Sequence, residues 1–210
     1  MDLLETIKSD DAVGIRQALK AGPLPLVNGV DALTQAVFFG SKDVFEVLLE
    51  AGHDHEVRDL LGKSLLHKSR KAALTRRPLE LGADPSVTDN AGRTPLHDAD
   101  EPSVVKALLG AGGSADPIDQ HGSTPLLAAS RLGRFKLVQA LLEGGADPNY
   151  TDPQGRVPLS ELLYGTEVPD DSKEKIAKLL LDAGADTKNS RVQACLEQGW
   201  GSLAIRQAMS

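Results

Sequence analysis

One phrase recurs along this chain: Gly-Arg-Thr-Pro-Leu-His-Asp-Ala at 92–99, Gly-Ser-Thr-Pro-Leu-Leu-Ala-Ala at 122–129, Gly-Arg-Val-Pro-Leu-Ser-Glu-Leu at 155–162, and a worn Gly-Lys-Ser-Leu-Leu-His-Lys-Ser at 62–69. Each copy is followed by an apolar pair and then by Gly-Ala-Asp or a near variant. Gly29, Gly62, Gly92, Gly122 and Gly155 lie 33, 30, 30 and 33 residues apart, and Gly40 and Gly133 follow their own repeat's first glycine by eleven residues. A period of this length builds an array of small stacked units rather than one central core.

Residues 119–151 show what each unit is made of. Thr124 can cap free amide donors while Pro125 takes the first helical position, where no donor is needed. Ala128 and Ala129 allow close approach to a neighbour, and Gly133 turns the chain into a second helix with Leu137, Val138, Leu141 and Leu142 on one stripe. Gly144-Gly145-Ala146-Asp147-Pro148 ends that helix, and an aspartate three residues before the next glycine, Asp119 or Asp152, suits a tight turn. A single helix pair cannot cover its own apolar faces, so neighbours must stack and the end units must be modified to meet water.

These residues resemble the ankyrin repeat family, whose motif is Gly, Thr-Pro-Leu-His, paired alanines, Gly, a Leu-Leu stripe and Gly-Ala-Asp. The likeness is strongest at 89–151, moderate at 26–58 and 152–186, and weaker at 59–88. It implies an all-α solenoid of stacked helix-turn-helix pairs with projecting hairpin fingers, and a main role in binding other proteins. The whole chain, 1–210, is expected to be one such domain: a capping helix pair at 1–25, repeats at 26–58, 59–88, 89–118, 119–151 and 152–184, and a cap at 185–210. The carboxy-terminal cap replaces the second-helix stripe with Leu203, Ala204, Gln207 and Ala208.

Composition excludes several other classes. A net charge of −7 argues against nucleic acid, which rewards clustered Lys and Arg. No apolar run approaches membrane-spanning length, and Met-Asp-Leu-Leu-Glu-Thr lacks the basic start and apolar core of a signal peptide, so a cytoplasmic location and no membrane partner are expected. The one cysteine, Cys195, falls where the register places a core alanine such as Ala129, and reads as a buried structural thiol. Asn149-Tyr150-Thr151 is formally a glycosylation sequon, expected to stay unmodified.

Three repeats depart from the pattern. Those at 59–88 and 89–118 are each three residues short between the first glycine and the second-helix apolar pair, Pro78-Leu79 or Leu108-Leu109. Three residues are nearly one helical turn, so one helix of each pair must shorten. Pro102 can end the first helix of 89–118 early, whereas Pro78 is expected to kink or restart the second helix of 59–88. The repeat at 152–184 instead has about six extra residues around Gly165 to Ser172, read as an exposed loop.

Motifs for chemistry fail their own tests. Gly62-Lys63-Ser64 resembles the end of a phosphate-binding loop, but Val57 stands where the first glycine should be. Gly110 to Ala115 matches the dinucleotide fingerprint, yet it follows a helix instead of a strand. His53 and His55 share a loop without a third ligand, and His67 and His97 occupy the motif's own histidine position, where a turn-stabilising hydrogen bond is the default role. No catalytic residues, cofactor or metal site are expected, and the chain reads as a non-enzyme.

The resemblance implies that partner contacts come from the finger tips and from the two residues before the mid-repeat glycine, which line the concave face. Carried over position by position, the face holds Phe38 and Phe39, Lys71 and Ala72, Glu101 and Pro102, Arg131 and Leu132, and Tyr164. Large aromatics dominate interface energetics; the alternative is that Phe38 and Phe39 pack under the amino-terminal cap. Finger candidates include Arg58, Leu60, Leu61, Lys63, Arg93 and His121. Leu60 and Leu61 either touch a partner or fold onto the short repeat behind them. With the motif aspartates set aside as structural, Arg58, Lys63, Arg93 and Arg156 leave the fingers mildly basic. The expected function is a monomeric, non-catalytic module that binds and masks or inhibits a protein partner. The loose motif suggests a bacterial origin, where an inhibitor or immunity-type protein would fit. The alternative is a scaffold that bridges partners or self-associates.

Overall fold

The computed structural model describes residues 2–26, 30–165, 167–199, 201 and 203–208, although the side chains of Leu203, Ala204 and Ala208 lie outside that description, as do Gly29 and Thr166. Fourteen helices and no strand occur among the described residues; Arg58 and Ser64 form an isolated antiparallel bridge at the base of a finger. The chain divides into two compact units, residues 1–113 and 114–210.

The first unit holds α1 (Leu3–Lys8), α2 (Ala12–Ala21), α3 (Ala32–Phe39), α4 (Lys42–Glu50), α5 (Leu65–Lys68), α6 (Ala72–Glu80), α7 (Pro95–Asp98) and α8 (Pro102–Gly110). First helices stack in the row α1, α3, α5, α7; second helices pack as α2 on α4 and α6 on α8. Ile7, Ile15, Leu33, Val37, Val44, Phe45, Leu48, Leu65 and Leu74 are buried along this stack. Each such side chain contributes about 1.5–3 kcal/mol when removed from water. The amino-terminal cap is bolted on by polar groups as well: the Asp10 carboxylate accepts from the amides of Val44 (2.9 Å) and Asp43 (3.3 Å), and Ser41 Oγ donates to the Ile7 carbonyl at 2.6 Å. Asp10 does so from a left-handed conformation (φ 56°), which aspartate tolerates better than most residues.

The second unit holds α9 (Pro125–Arg131), α10 (Phe135–Glu143), α11 (Pro158–Tyr164), α12 (Asp170–Asp182), α13 (Ser190–Glu197) and α14 (Leu203–Ala208). The row α9, α11, α13 stacks beside α10, α12, α14. Leu126, Val138, Leu141, Leu159, Leu162, Ile176, Leu180, Val192 and Cys195 are buried in it. Burial pushes the Cys195 thiol up, keeping it protonated.

The irregular repeats resolve in a specific way. In both short repeats the first helix loses its turn, since α5 and α7 have 4 residues against 7 in α9, while α6 and α8 keep 9. The mid-repeat glycine, left-handed at Gly40 (φ 78°) and Gly133 (φ 65°), is gone with that turn. Ser69-Arg70-Lys71 and Ala99-Asp100-Glu101 replace it, with extended backbone at both ends of each link. Pro102 starts α8, so the first helix of that repeat does end early. Pro78 does not restart α6, which runs from Ala72 to Glu80 with the proline inside. Its missing donor falls in the last turn of a helix held from both sides by α5 and α8. A cavity of about 210 Å³ adjoins Pro78, lined also by Leu66, Ala83 and Val87 and, across the gap, by His55 and Arg58.

The extra residues of 152–184 are not all loop. They lengthen α12 to 13 residues against 9 in α10. Val168 is buried and folds back over Gly133, where a Cβ would stand 2.5 Å from Val168 Cγ1. Glu167 and Pro169 on either side are exposed, so only part of the expected exposed loop is one.

Candidate functional site

Four fingers are built on one device. The Oδ1 atoms of Asp59, Asp89, Asp119 and Asp152 each accept two amides, two and four residues onward, at 2.8–3.0 Å. Gly62, Gly92, Gly122 and Gly155 complete the turns at φ 72–76°, where a Cβ would be strained. Every finger tip is thereby fixed in shape, and its individuality rests on the side chains it carries.

The finger cations prove largely spent inside the molecule. Lys63 Nζ donates to Asp98 at 2.6 Å and lies 3.9 Å from Asp89, and Arg93 donates to Asp98 and to the His97 carbonyl, both at 2.9 Å. Burial opposes ionisation of Asp98, but hydrogen bonds and charge from Lys63 and Arg93 outweigh it and hold its carboxyl below the usual range. Arg156 is bound to Asp152 at 2.5 Å, and Arg58, although exposed, donates to the Thr88 carbonyl at 3.1 Å. The mildly basic fingers of the sequence reading are therefore mostly neutralised. His67 takes its expected turn role and extends it: Nδ1 accepts the Ser64 amide at 3.2 Å while Nε2 bridges to the Arg93 carbonyl of the next finger at 2.9 Å. The first contact makes Nδ1 the acceptor, so Nε2 carries the proton.

Leu60 and Leu61 do not fold onto the short repeat: they are 99% and 61% exposed. Their backbone is pinned instead, the two carbonyls accepting from the side chain and amide of Asn90 at 3.1 and 2.9 Å.

At the end of α3 the two phenylalanines part company. Phe39 is half-buried against the core with Lys8 Nζ 5.5 Å from its ring centre, whereas Phe38 is 45% exposed and meets Phe39 edge-on at 5.1 Å. The Arg70 guanidinium lies 5.5 Å from the Phe38 ring and is ion-paired with Asp100. The motif carry-over missed Arg70 and Asp100, because it aligned Lys71-Ala72 and Glu101-Pro102 with Phe38-Phe39. Ala72 and Pro102 already belong to the second helices, and Lys71 and Glu101 are exposed positions immediately before them. With the three-residue deletion placed inside the first helix, Arg70 and Asp100 take the register of the mid-repeat glycines Gly40 and Gly133, outside the pair that the motif singles out. Lys71 reaches back across Gly40, donating to its carbonyl at 3.2 Å.

The remaining candidates belong to the second unit. Arg131 and His121 are exposed, Leu132 is half-exposed, and Tyr164 carries the Arg191 guanidinium 5.7 Å from its ring centre. Asn149 is engaged at both ends of its amide, donating to the Gly184 carbonyl at 2.9 Å and accepting the Asp186 amide at 2.7 Å. No group of three or more metal-binding side chains occurs among the described residues, nor is any described helix long and apolar enough to cross a membrane.

Comparison with known proteins adds one match. Residues 63–152 fit the family model for ankyrin repeats, in 3 copies. No curated protein matches the chain.

Proposed function

Because the chain is an ankyrin repeat protein, and ankyrin repeats are generally protein–protein interaction modules, we propose that it is a non-catalytic binder that masks or inhibits one protein partner. The contact surface in this reading is the inner side of the first unit, centred on Phe38. The observation that carries it is the half-exposed Phe38 ring, set edge-on to Phe39 and beside the guanidinium of Arg70. An aromatic already ordered in the free protein loses little entropy on binding and supplies a hot-spot anchor. Arg58, Leu60, Leu61, Lys63, Arg93 and Glu101 are further candidates in the same unit; His121, Arg131, Leu132 and Tyr164 are the candidates in the second.

Affinity capture with quantitative mass spectrometry tests the reading. The wild-type chain should retain one protein at near-stoichiometric yield, and Phe38→Ala should lose it while its melting temperature stays within a few degrees. Phe39→Ala, which removes a packed side chain, serves as the comparison for loss through instability. Equal capture by wild type and Phe38→Ala would overturn the reading.

A second reading, a scaffold that self-associates or bridges partners, draws on the amino-terminal cap. There Leu3, Ala18, Ala21, Pro23, Leu24 and Pro25 line an open apolar cleft, and Val13 and Leu26 are 75% and 65% exposed. Light scattering after gel filtration separates the readings: a dimer abolished by Val13→Glu favours the scaffold, and a monomer favours the binder.

A further inference from the structure

Successive repeats of the first unit present a row of side chains whose charge changes sign. Phe38 stands at the end of α3, Lys71 immediately before α6, and Glu101 immediately before α8; the last two hold the same register position in adjacent repeats. Arg70 and Asp100 beside them neutralise each other through their ion pair and so do not set the sign of the row. Lys71 does, since its ammonium donates to the uncharged Gly40 carbonyl and has no ion-pair partner among the described residues, which keeps a net positive charge there. Its stem crosses Gly40, where a Cβ would stand 2.4 Å from Lys71 Cε, so the glycine directs this cation towards the Phe38 end. Glu101 is exposed and its side chain has no hydrogen bond or ion pair among the described residues, leaving a negative charge one repeat further on.

We infer that this row takes an extended peptide segment of the partner bearing, in spatial order, an apolar side chain on Phe38, an acidic one on Lys71 and a basic one on Glu101. The inference rests on the reading that this face binds protein, and names the chemistry it selects. Packed helices lie about 8–10 Å apart, and an extended chain advances about 3.3–3.6 Å per residue, so the acidic and basic residues are separated by about two to three positions. A segment with the opposite order places like charges together at both sites, which rejects it.

Selection from a phage-displayed library of random dodecapeptides on the immobilised full-length chain tests this. Wild type should enrich segments in which, counted from the apolar residue, the acidic side chain precedes the basic one. The doubly reversed variant K71E/E101K should enrich the opposite order. In fluorescence anisotropy, a labelled wild-type-selected peptide should bind the reversed variant at least about tenfold more weakly, and a peptide with its two charges exchanged should recover the loss. Both substitutions are at exposed positions, and circular dichroism checks that the variant stays folded. Enrichment without a charge order, an order unaffected by the reversal, or no enrichment overturns the inference. Phe38→Ala distinguishes the failures: peptides lost in that variant but indifferent to charge reversal leave the binding face standing and remove only its charge code, whereas peptides indifferent to both changes count against the face itself.

Discussion

The repeats at 59–88 and 119–151 share the same finger and diverge at the turn between their helices. In the longer repeat, α9 runs for 7 residues and Gly133 makes the turn in a left-handed conformation, so Arg131 and Leu132 leave from a helix end. In the shorter one α5 stops after 4 residues and the Ser69-Arg70-Lys71 link makes the turn, so Arg70 and Lys71 leave from extended backbone and reach Phe38 and Gly40 of the preceding repeat. The second helices differ too: Leu141 is buried at its position in one, and Pro78, at the same register in the other, borders a cavity. A lost turn thus changes which side chains form the face while leaving the fingers intact.

The largest expected effects lie at that matched pair. Leu141→Ala should destabilise by about 2–5 kcal/mol, the range for a buried leucine truncated to a cavity, measured by urea unfolding. Pro78→Leu should act in the opposite direction, raising stability by about 1–3 kcal/mol, because it restores the donor to the Leu74 carbonyl and fills the adjoining space. If Pro78→Leu destabilises, the short repeat is not underpacked.

A smaller contrast separates two left-handed glycines. At Gly155 nothing lies within 4 Å of a built Cβ, so Gly155→Ala should cost only the backbone term of about 1–2 kcal/mol. At Gly133 the same substitution must also displace Val168, so Gly133→Ala should cost about 1–2 kcal/mol more, and should increase protease cleavage near Glu167. Equal costs would mean that Val168 gives way freely.

The smallest effect is pH-dependent and belongs to the short repeat. Burial lowers the pKa of His67 below its ordinary 6.5, even though the Arg93 carbonyl and the charges of Asp98 and Asp89 act to raise it; Lys63 adds to the lowering. A base whose folded pKa is depressed is neutral in the fold and binds more protons when unfolded. The stability is therefore present above about pH 6.5 and declines as pH falls towards the folded pKa. Urea midpoints at pH 7.5 and 5.5 should show wild type losing more on acidification than His67→Gln, whose side chain can still accept the Ser64 amide.

Much of the architecture was legible because it rests on local chemistry. The aspartate-glycine fingers, the Thr124-Pro125 helix start and the helix end at Gly110 to Gly113 depend on residues close in sequence. What escaped depends on contacts between repeats. Removing three residues shifts a helix by nearly a full turn, so periodicity alone could not say which turn was lost, and Arg70 and Asp100 went unrecognised. Likewise the fate of Lys63 and Arg93 was set by Asp98, a carboxylate outside the fingers, and Val168 acquired its role only through proximity to Gly133.

The proposed partner face is the one that Phe38 marks. Photo-crosslinking in cells tests it most directly, with a benzophenone amino acid placed at position 38 and, as a control, at the exposed helix position 76. A partner seated on Phe38 gives one discrete adduct from position 38 and none from position 76. Adducts of equal yield from both positions, or none from position 38, would contradict it.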